Sequence, residues 1–357
     1  NKLVFCLFVE DIDLLPGRLF ADIVEEGLKD SDAFTGMLGD LFAAMRQGNK
    51  RFGTVLVPWF NGGLFDDDDV LPLGHLEIRD LAAAARLDWS AIEPSVFGTL
   101  FEQALSPEKR KAMASLFDAK PATGPTQASL FARQAADKGV GIHYTDPATI
   151  MKIVEPAVLR PLRAEWEWAK AEIANAREQK ATARNDAART RAEQRARNLY
   201  LAFRERLGSF RVLDPACGSG NFPYLALLHL KDFDLAVIDE ARALGLPLDD
   251  QRVTPEALRG IEINEYAAEL ARVTIWIGEL QWQMRNAFGV KRSPILGQLR
   301  GIERRDALLN DDGSEAAWPA ADVVIGNPPF LGNKSMLGEL ERIHLNRSHS
   351  LWRRNSF

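Results

Sequence analysis

An asparagine followed by two prolines and an aromatic, Asn327-Pro328-Pro329-Phe330, closes the apolar run Asp322 to Ile325 and its Gly326. Prolines fix the backbone and carry no N–H, so carbonyls at such a turn stay free to accept hydrogen bonds. The Asn327 carboxamide oxygen and the Pro328 carbonyl can then both take hydrogens from one exocyclic NH₂. That turns the nitrogen lone pair out of ring conjugation and leaves it able to attack an electrophilic carbon. Phe330 offers a face on which an extruded base can stack. The displacement needs no covalent nucleophile, because positioning and electrostatics supply most of the acceleration. Asn-Pro-Pro is also an ordinary turn, so the motif carries weight only at the carboxyl end of a strand and beside a donor site.

A donor site is written upstream, in Val212-Leu213-Asp214-Pro215-Ala216-Cys217-Gly218-Ser219-Gly220-Asn221-Phe222. A strand delivers an acid, and a glycine-rich turn opens a helix. Gly218 and Gly220 let the backbone approach a ligand with no side chain between, and Ala216 and Asn221 flank them. Nicotinamide enzymes set GxGxxG directly after the strand so that pyrophosphate rests on the helix N-terminus. Here Pro223 takes the third glycine's place, and Asp214 stands four residues ahead of Gly218. A carboxylate at that point repels pyrophosphate and accepts from an ammonium group. S-adenosylmethionine offers an ammonium and no phosphate, and its sulfonium methyl is a target for the amine held at Asn327.

Three further segments fit the same ligand. Glu262, in Gly260-Ile261-Glu262-Ile263-Asn264, can accept both ribose hydroxyls. Asp306, in Arg305-Asp306-Ala307-Leu308, can take the adenine amino group. In Gly141-Ile142-His143-Tyr144-Thr145-Asp146-Pro147, Thr145 or Asp146 is a good helix N-cap and Pro147 suits the first helical position, so N–H groups there can receive the methionine carboxylate. Taken singly, Glu262 and Asp306 are ordinary strand-end acids, Thr145 a cap and His143 a structural histidine; their joint order favours the cofactor. Cys217 reads as a small buried residue rather than a ring-attacking thiol, since it lies inside the turn and follows Ala216 rather than a proline. Cys6 reads as core.

These groups need parallel strands to bring their ends together. Phe210 to Asp214, Arg259 to Ile263, Gln298 to Ile302 and Asp322 to Ile325 read as strands. The intervening helices are Asn221 to Leu230 and one with Leu270, Val273, Ile277 and Leu280 on a single face. The alternation predicts an α/β fold with a parallel, doubly wound sheet and ligands at the carboxyl ends of the strands. Ahead of it, Ala164 to Arg206 lacks proline and glycine and predicts one long helix or a helical hairpin. Its excess of arginine suits a solvated face with intrahelical ion pairs, or contact with a DNA backbone. The stretch before about residue 135 reads as helical, with Leu3 to Val9 and Phe34, Leu38, Leu41 and Phe42 as core positions. Ala119 to Ala136 reads as a linker.

Two cysteines in 357 residues exclude a disulfide framework and suit a reducing, cytoplasmic setting. No apolar run is long enough to span a bilayer. Consecutive aspartates, Asp66 to Asp69, lack EF-hand spacing and read as solvated, so no metal is expected. A net charge of −6 gives no global attraction to nucleic acid, so contact with DNA must be local or come from another module.

The motifs GIHYT, VLDPACGSGNF, GIEIN, RRDALL and ADVVIGNPPFLGNKSMLGEL resemble those of the adenine-N6 DNA methyltransferases, in particular the bifunctional type IIL (MmeI-type) restriction–modification enzymes and their phage-defence relatives. NKLVFCLFVEDIDLLP, WFNGGLF and IEPSVFGTLFEQAL are similar to the helical spacer that precedes the methyltransferase domain there. The resemblance implies a Rossmann-like class I methyltransferase sheet, incomplete, in residues 136–357 after a spacer in residues 1–135. It implies S-adenosylmethionine held by Thr145, Asp214, Ala216, Gly218, Gly220, Asn221, Glu262 and Asp306. Asn327, Pro328, Pro329 and Phe330 would hold a flipped adenine of double-stranded DNA. The departures are an N-terminal nuclease constellation not recognisable here and a target-recognition domain for which no sequence follows. The expectation is therefore a piece incomplete at both ends, with the Asn-Pro-Pro strand as an open edge. Protein-glutamine N-methylation, or a non-catalytic remnant that only binds cofactor, are the alternatives.

Overall fold

The computed structural model describes residues 2–48, 50–60, 64–65, 68–90, 92–94, 145–247, 249–286, 299–310 and 312–328. The described residues within 2–94 and 145–326 pack as one compact unit, to which Asn327 and Pro328 do not belong. The expected domain boundary at 135/136 and the linker at 119–136 lie outside the described residues.

The N-terminal part is helical, as its apolar spacing requires. α1 (Lys2–Asp11), α2 (Leu19–Gly27), α3 (Ser31–Gln47) and α4 (His75–Ala84) surround a core holding Phe5, Phe8, Phe20, Phe34, Leu38, Leu41 and Phe42. Asp30 starts α3 by accepting from the Asp32 and Ala33 N–H groups. A short antiparallel hairpin, β1 (Lys50–Phe52) with β2 (Val55–Val57), follows α3; it was not expected, because three-residue strands leave no readable alternation.

α5 (Pro147–Val154) continues through a single π-helical turn, Glu155–Leu159, into α6 (Arg160–Thr182). Pro156, inside the widened turn, and Pro161, just after it, lack N–H donors. α7 (Asp186–Ser209) returns antiparallel, started by Asn185, whose side chain accepts from Ala188 N. The expected long element is thus a hairpin. The Trp166 indole N–H donates to Glu240 (2.8 Å), Lys170 pairs with Glu240 (2.7 Å), and Arg177 lies against Gly245. These contacts place the hairpin tip beyond the C-terminal end of α8 (Asn221–Ala243). Arg204 is fully buried and bonds Asp234, Asp249 (3.3 Å) and the Asp250 carbonyl (2.7 Å), while Asp234 also accepts from Arg252 N (2.7 Å) and Val253 N (2.9 Å). This paired buried charge locks α7, α8 and the approach to the next strand.

The sheet consists of β3 (Val212–Asp214), β4 (Leu258–Glu262), β5 (Ile302–Arg304) and β6 (Val323–Val324) in the order β5-β4-β3-β6, every pairing parallel. α8 connects β3 to β4, and α9 (Glu265–Arg285) follows β4; the two helices pack on each other. β3, β5 and β6 are shorter than expected, β4 keeps its length but lies one residue earlier, and the third strand begins at Ile302 rather than at 298. The return from β5 to β6 is a loop with one β-bridge, Leu309 to Glu315, turning at Gly313. Its asparagine, aspartate, glycine and proline have no helical periodicity, so the second helical layer expected of a doubly wound sheet is absent among the described residues. β3 to β5 step one way and β6 returns to the other side of β3, which makes the β3–β6 boundary the topological switch point.

Candidate functional site

Asp214 ends β3 at that switch point and is 1% exposed. Its Oδ1 accepts from Ala216 N (3.0 Å). Burial pushes the Asp214 carboxyl up to about 7; the Ala216 N–H pulls the other way, and the Glu262 charge adds to the rise. β6 runs alongside, its exit set by Ile325 N donating to Leu213 O (2.9 Å). Gly326 comes next, at φ +154°, and a Cβ there would stand 2.5 Å from Asp214 Oδ1. Only glycine fits both that dihedral and that space. The chain therefore passes beside the Asp214 carboxylate one residue before Asn327.

The turn after Asp214 is tightly folded. Cys217 N donates to Ile261 O (3.1 Å) and Gly220 N to Cys217 O (2.8 Å). Gly218 and Gly220 take φ +52° and +86°, values that L side chains resist. A Cβ on Gly220 would also lie 2.9 Å from Ala271 Cα of α9, so this turn is pressed onto the helix behind it. Gly218 N donates to Glu262 Oε2 (3.0 Å), while Glu262 Oε1 accepts from Asn264 N (2.8 Å). Each carboxylate oxygen keeps a further lone pair for a ligand hydroxyl. Arg305 N donates to Glu262 O (3.1 Å), which sets the Asp306 turn beside β4; Asp306 Oδ1 accepts from Leu308 N (2.8 Å) and Leu309 N (3.3 Å).

The structure thus brings Asp214, Ala216, Gly218, Gly220, Asn221, Glu262 and Asp306 to one edge of the sheet. Thr145 stands one residue before the α5 cap, which is Asp146: its carboxylate accepts from Thr149 N (3.0 Å), with Pro147 at the first helical position. α5 packs against α8, the helix that the glycine turn opens. Asn327 and Pro328 are exposed. Pro329, Phe330 and His143 lie outside the described residues.

Cys217 is 5% exposed, and burial first, then the Asp214 and Glu262 charges, push its thiol well above the usual range. That suits a packing role, and a Cβ on Gly260 would meet its Sγ at 2.9 Å. Cys6 is likewise buried. No cluster of metal-ligating side chains occurs among the described residues, and no helix among them is long and apolar enough to cross a membrane.

Sequence reading missed the reason for Gly326 and two open apolar chains. Ile263, 66% exposed, follows Glu262, and Leu308, 67% exposed, follows Asp306 by two residues. An apolar residue just past a strand-end acid is the signal that could have found both.

Residues 188–347 match the family described as MmeI, DNA-methyltransferase domain, and residues 1–65 match MmeI, helicase spacer domain. DNA methyltransferase A of Bacillus subtilis is 25% identical, over 93% of this chain and 34% of its own length. A putative type II restriction enzyme and methyltransferase of Methanocaldococcus jannaschii is 21% identical, over 79% of this chain and 24% of its own. A solved structure of the type IIL restriction–modification enzyme MmeI in complex with DNA is similar with a TM-score of 0.67 at 26% identity, covering 94% of this chain and 40% of that one. The chain spans about a third or less of the length of these curated relatives.

Proposed function

The chain belongs to the MmeI family, carrying its spacer and DNA-methyltransferase segments in order, and from that premise we propose that it is an adenine-N6 DNA methyltransferase of a restriction–modification or phage-defence system. S-adenosylmethionine, when bound, supplies a methyl group on a sulfonium. Three observations fit this cofactor. Asn221 is 8% exposed, and its Oδ1 has no protein partner among the described residues, so an acceptor is left for a ligand. Asp214 and Glu262 are carboxylates, suited to an ammonium and to ribose hydroxyls and unsuited to phosphate. Ile263 and Leu308 offer apolar surface beside the two strand-end acids, as a flat purine needs.

In this reading Asp214 holds the ammonium and Glu262 the ribose. Asp306 takes the adenine amine, and Ala216, Gly218 and Gly220 bring backbone close. Thr145 stands at a helix N-terminus suited to a carboxylate. Asn327 and Pro328 accept from the target NH₂, and Pro329 and Phe330 fix and stack the extruded base of double-stranded DNA. The fold reading that goes with this is a Rossmann-like methyltransferase sheet, with 1–135 as spacer and 136–357 as the methyltransferase part. A cytoplasmic setting fits the two cysteines. One observation carries the reading: Asp214 and Gly326 leave neighbouring parallel strands side by side, so the glycine turn starts beside the residue that precedes Asn327.

The test is calorimetry with S-adenosylmethionine, followed by methyl transfer to adenine-containing duplex or to a peptide carrying a glutamine amide. Binding and transfer to duplex adenine are expected. No binding by folded protein, or transfer to the peptide alone, overturns the reading. Asn327→Ala should keep cofactor binding and abolish transfer.

A further inference from the structure

Behind the glycine turn, the N-terminal part of the chain reaches the two helices that support it. The Gln281 carboxamide of α9 donates to the backbone carbonyls of Ser90 (3.1 Å) and Ile92 (2.7 Å). The same short segment is tied back into the N-terminal helices: Trp89 N donates to Asp11 Oδ2 (2.6 Å) and its indole N–H to Ala84 O (2.9 Å). One residue beyond Ile92, the Glu93 carboxylate is the hydrogen-bond acceptor for the Tyr224 hydroxyl. Tyr224 lies in the first turn of α8, 2% exposed, and its N–H donates to Gly220 O (2.9 Å). Its ring is wedged against α9, where a Cβ on Gly278 would come within 2.2 Å of it.

Two short routes therefore join Ser90, Ile92 and Glu93 to the turn. One runs from Glu93 through Tyr224 to the Gly220 carbonyl. The other runs from the Ser90 and Ile92 carbonyls through Gln281 along α9 to Ala271, which abuts Gly220. Both end on Gly220, whose φ of +86° and contact with Ala271 already hold its backbone. A carboxamide bridging two carbonyls, together with a carboxylate on a buried phenol, is more than a solvated loop needs in order to cover a helix pair. We propose that Gln281, Tyr224 and Glu93 are positioning residues for cofactor binding: through them Ser90, Ile92 and Glu93 brace the glycine turn. This rests on the S-adenosylmethionine reading above. None of the three touches the reacting atoms.

The experiment measures S-adenosylmethionine affinity, and kcat and KM for both substrates, in wild type, Gln281→Ala, Tyr224→Phe, Glu93→Ala and Glu93→Gln. Glu93 is exposed and Tyr224→Phe is isosteric, so these chains should fold, and urea melts check that they do. Gln281→Ala, Tyr224→Phe and Glu93→Ala should each weaken cofactor binding about tenfold, the change expected on losing one hydrogen bond with a charged or carbonyl partner. KM for DNA should stay unchanged, and kcat should move less than KM for the cofactor. Glu93→Gln, which keeps an acceptor for the phenol, should restore most of the loss. Unchanged cofactor affinity in the three variants overturns the inference, as does a parallel fall in DNA affinity and stability, which marks a merely structural role. Absence of binding by wild type sinks the cofactor reading itself, and the brace with it.

Discussion

Asp214 meets two opposing demands. Buried at the strand end, its carboxyl is pushed up to about 7, above the ordinary carboxylate range near 4. Between those values the unfolded chain gives up the proton and the folded chain keeps it, so stability falls as pH rises from about 4 to about 7 and then levels off. Asp214→Asn should remove that slope and leave the ligand-free chain more stable at pH 8, on the order of a few kcal/mol by urea melts, with little change at pH 4. The same variant should bind S-adenosylmethionine poorly, because the ammonium wants the ionised form; wild-type affinity should therefore rise through pH 7. Gly326→Ala is expected to cost about 2 kcal/mol or more, since it forces a positive φ on an L residue and a methyl onto the Asp214 oxygen. The acids were legible one by one from their places after apolar runs. The glycine's necessity was not, because its neighbour is 112 positions away in the chain (326 − 214).

At the scale of elements, the α6–α7 hairpin separates charge that holds the fold from charge that is solvated. Arg204 is held by Asp234 in full burial, and Arg204→Ala should destabilise the chain by about 3–5 kcal/mol, because it strands a buried carboxylate. The tip behaves differently. No residue from Arg177 to Arg191 is buried, and Lys180 pairs with Glu193 and Arg189 with Asp186. The tip also lies beyond the far end of α8, roughly 35 Å of helix from the glycine turn at 1.5 Å per residue. Replacing Arg184 and Arg191 together by glutamine should therefore leave DNA affinity within about twofold at physiological salt, measured by fluorescence anisotropy, since distant exposed charges are screened. A large loss would revive the DNA-backbone reading of this stretch. The sequence marked a hairpin or a helix here, and Asn185 capping α7 decided between them. The β1–β2 hairpin and the loop return to β6 were illegible, being too short or too turn-rich to show a period.

For the molecule as a whole, binding should appear as stability. S-adenosylmethionine at 100 times its Kd should raise unfolding free energy by ~2.7 kcal/mol, readable as a thermal shift. 5′-Methylthioadenosine, which lacks the ammonium that Asp214 would receive, should give a smaller shift at equal concentration; an equal shift would separate Asp214 from the ligand. What the sequence determined by itself was local: a strand ends in an acid, two glycines free the next turn, and prolines strip donors from another. Those are properties of short segments, set by side-chain type and backbone freedom. Tertiary structure alone decided that β6 crosses back to the other side of β3, which brings Gly326 against Asp214, and that Ser90 and Ile92 reach the helix behind the turn. Strand order and long-range packing depend on which apolar faces bury each other once the chain closes on itself, and no spacing along one sequence encodes that choice.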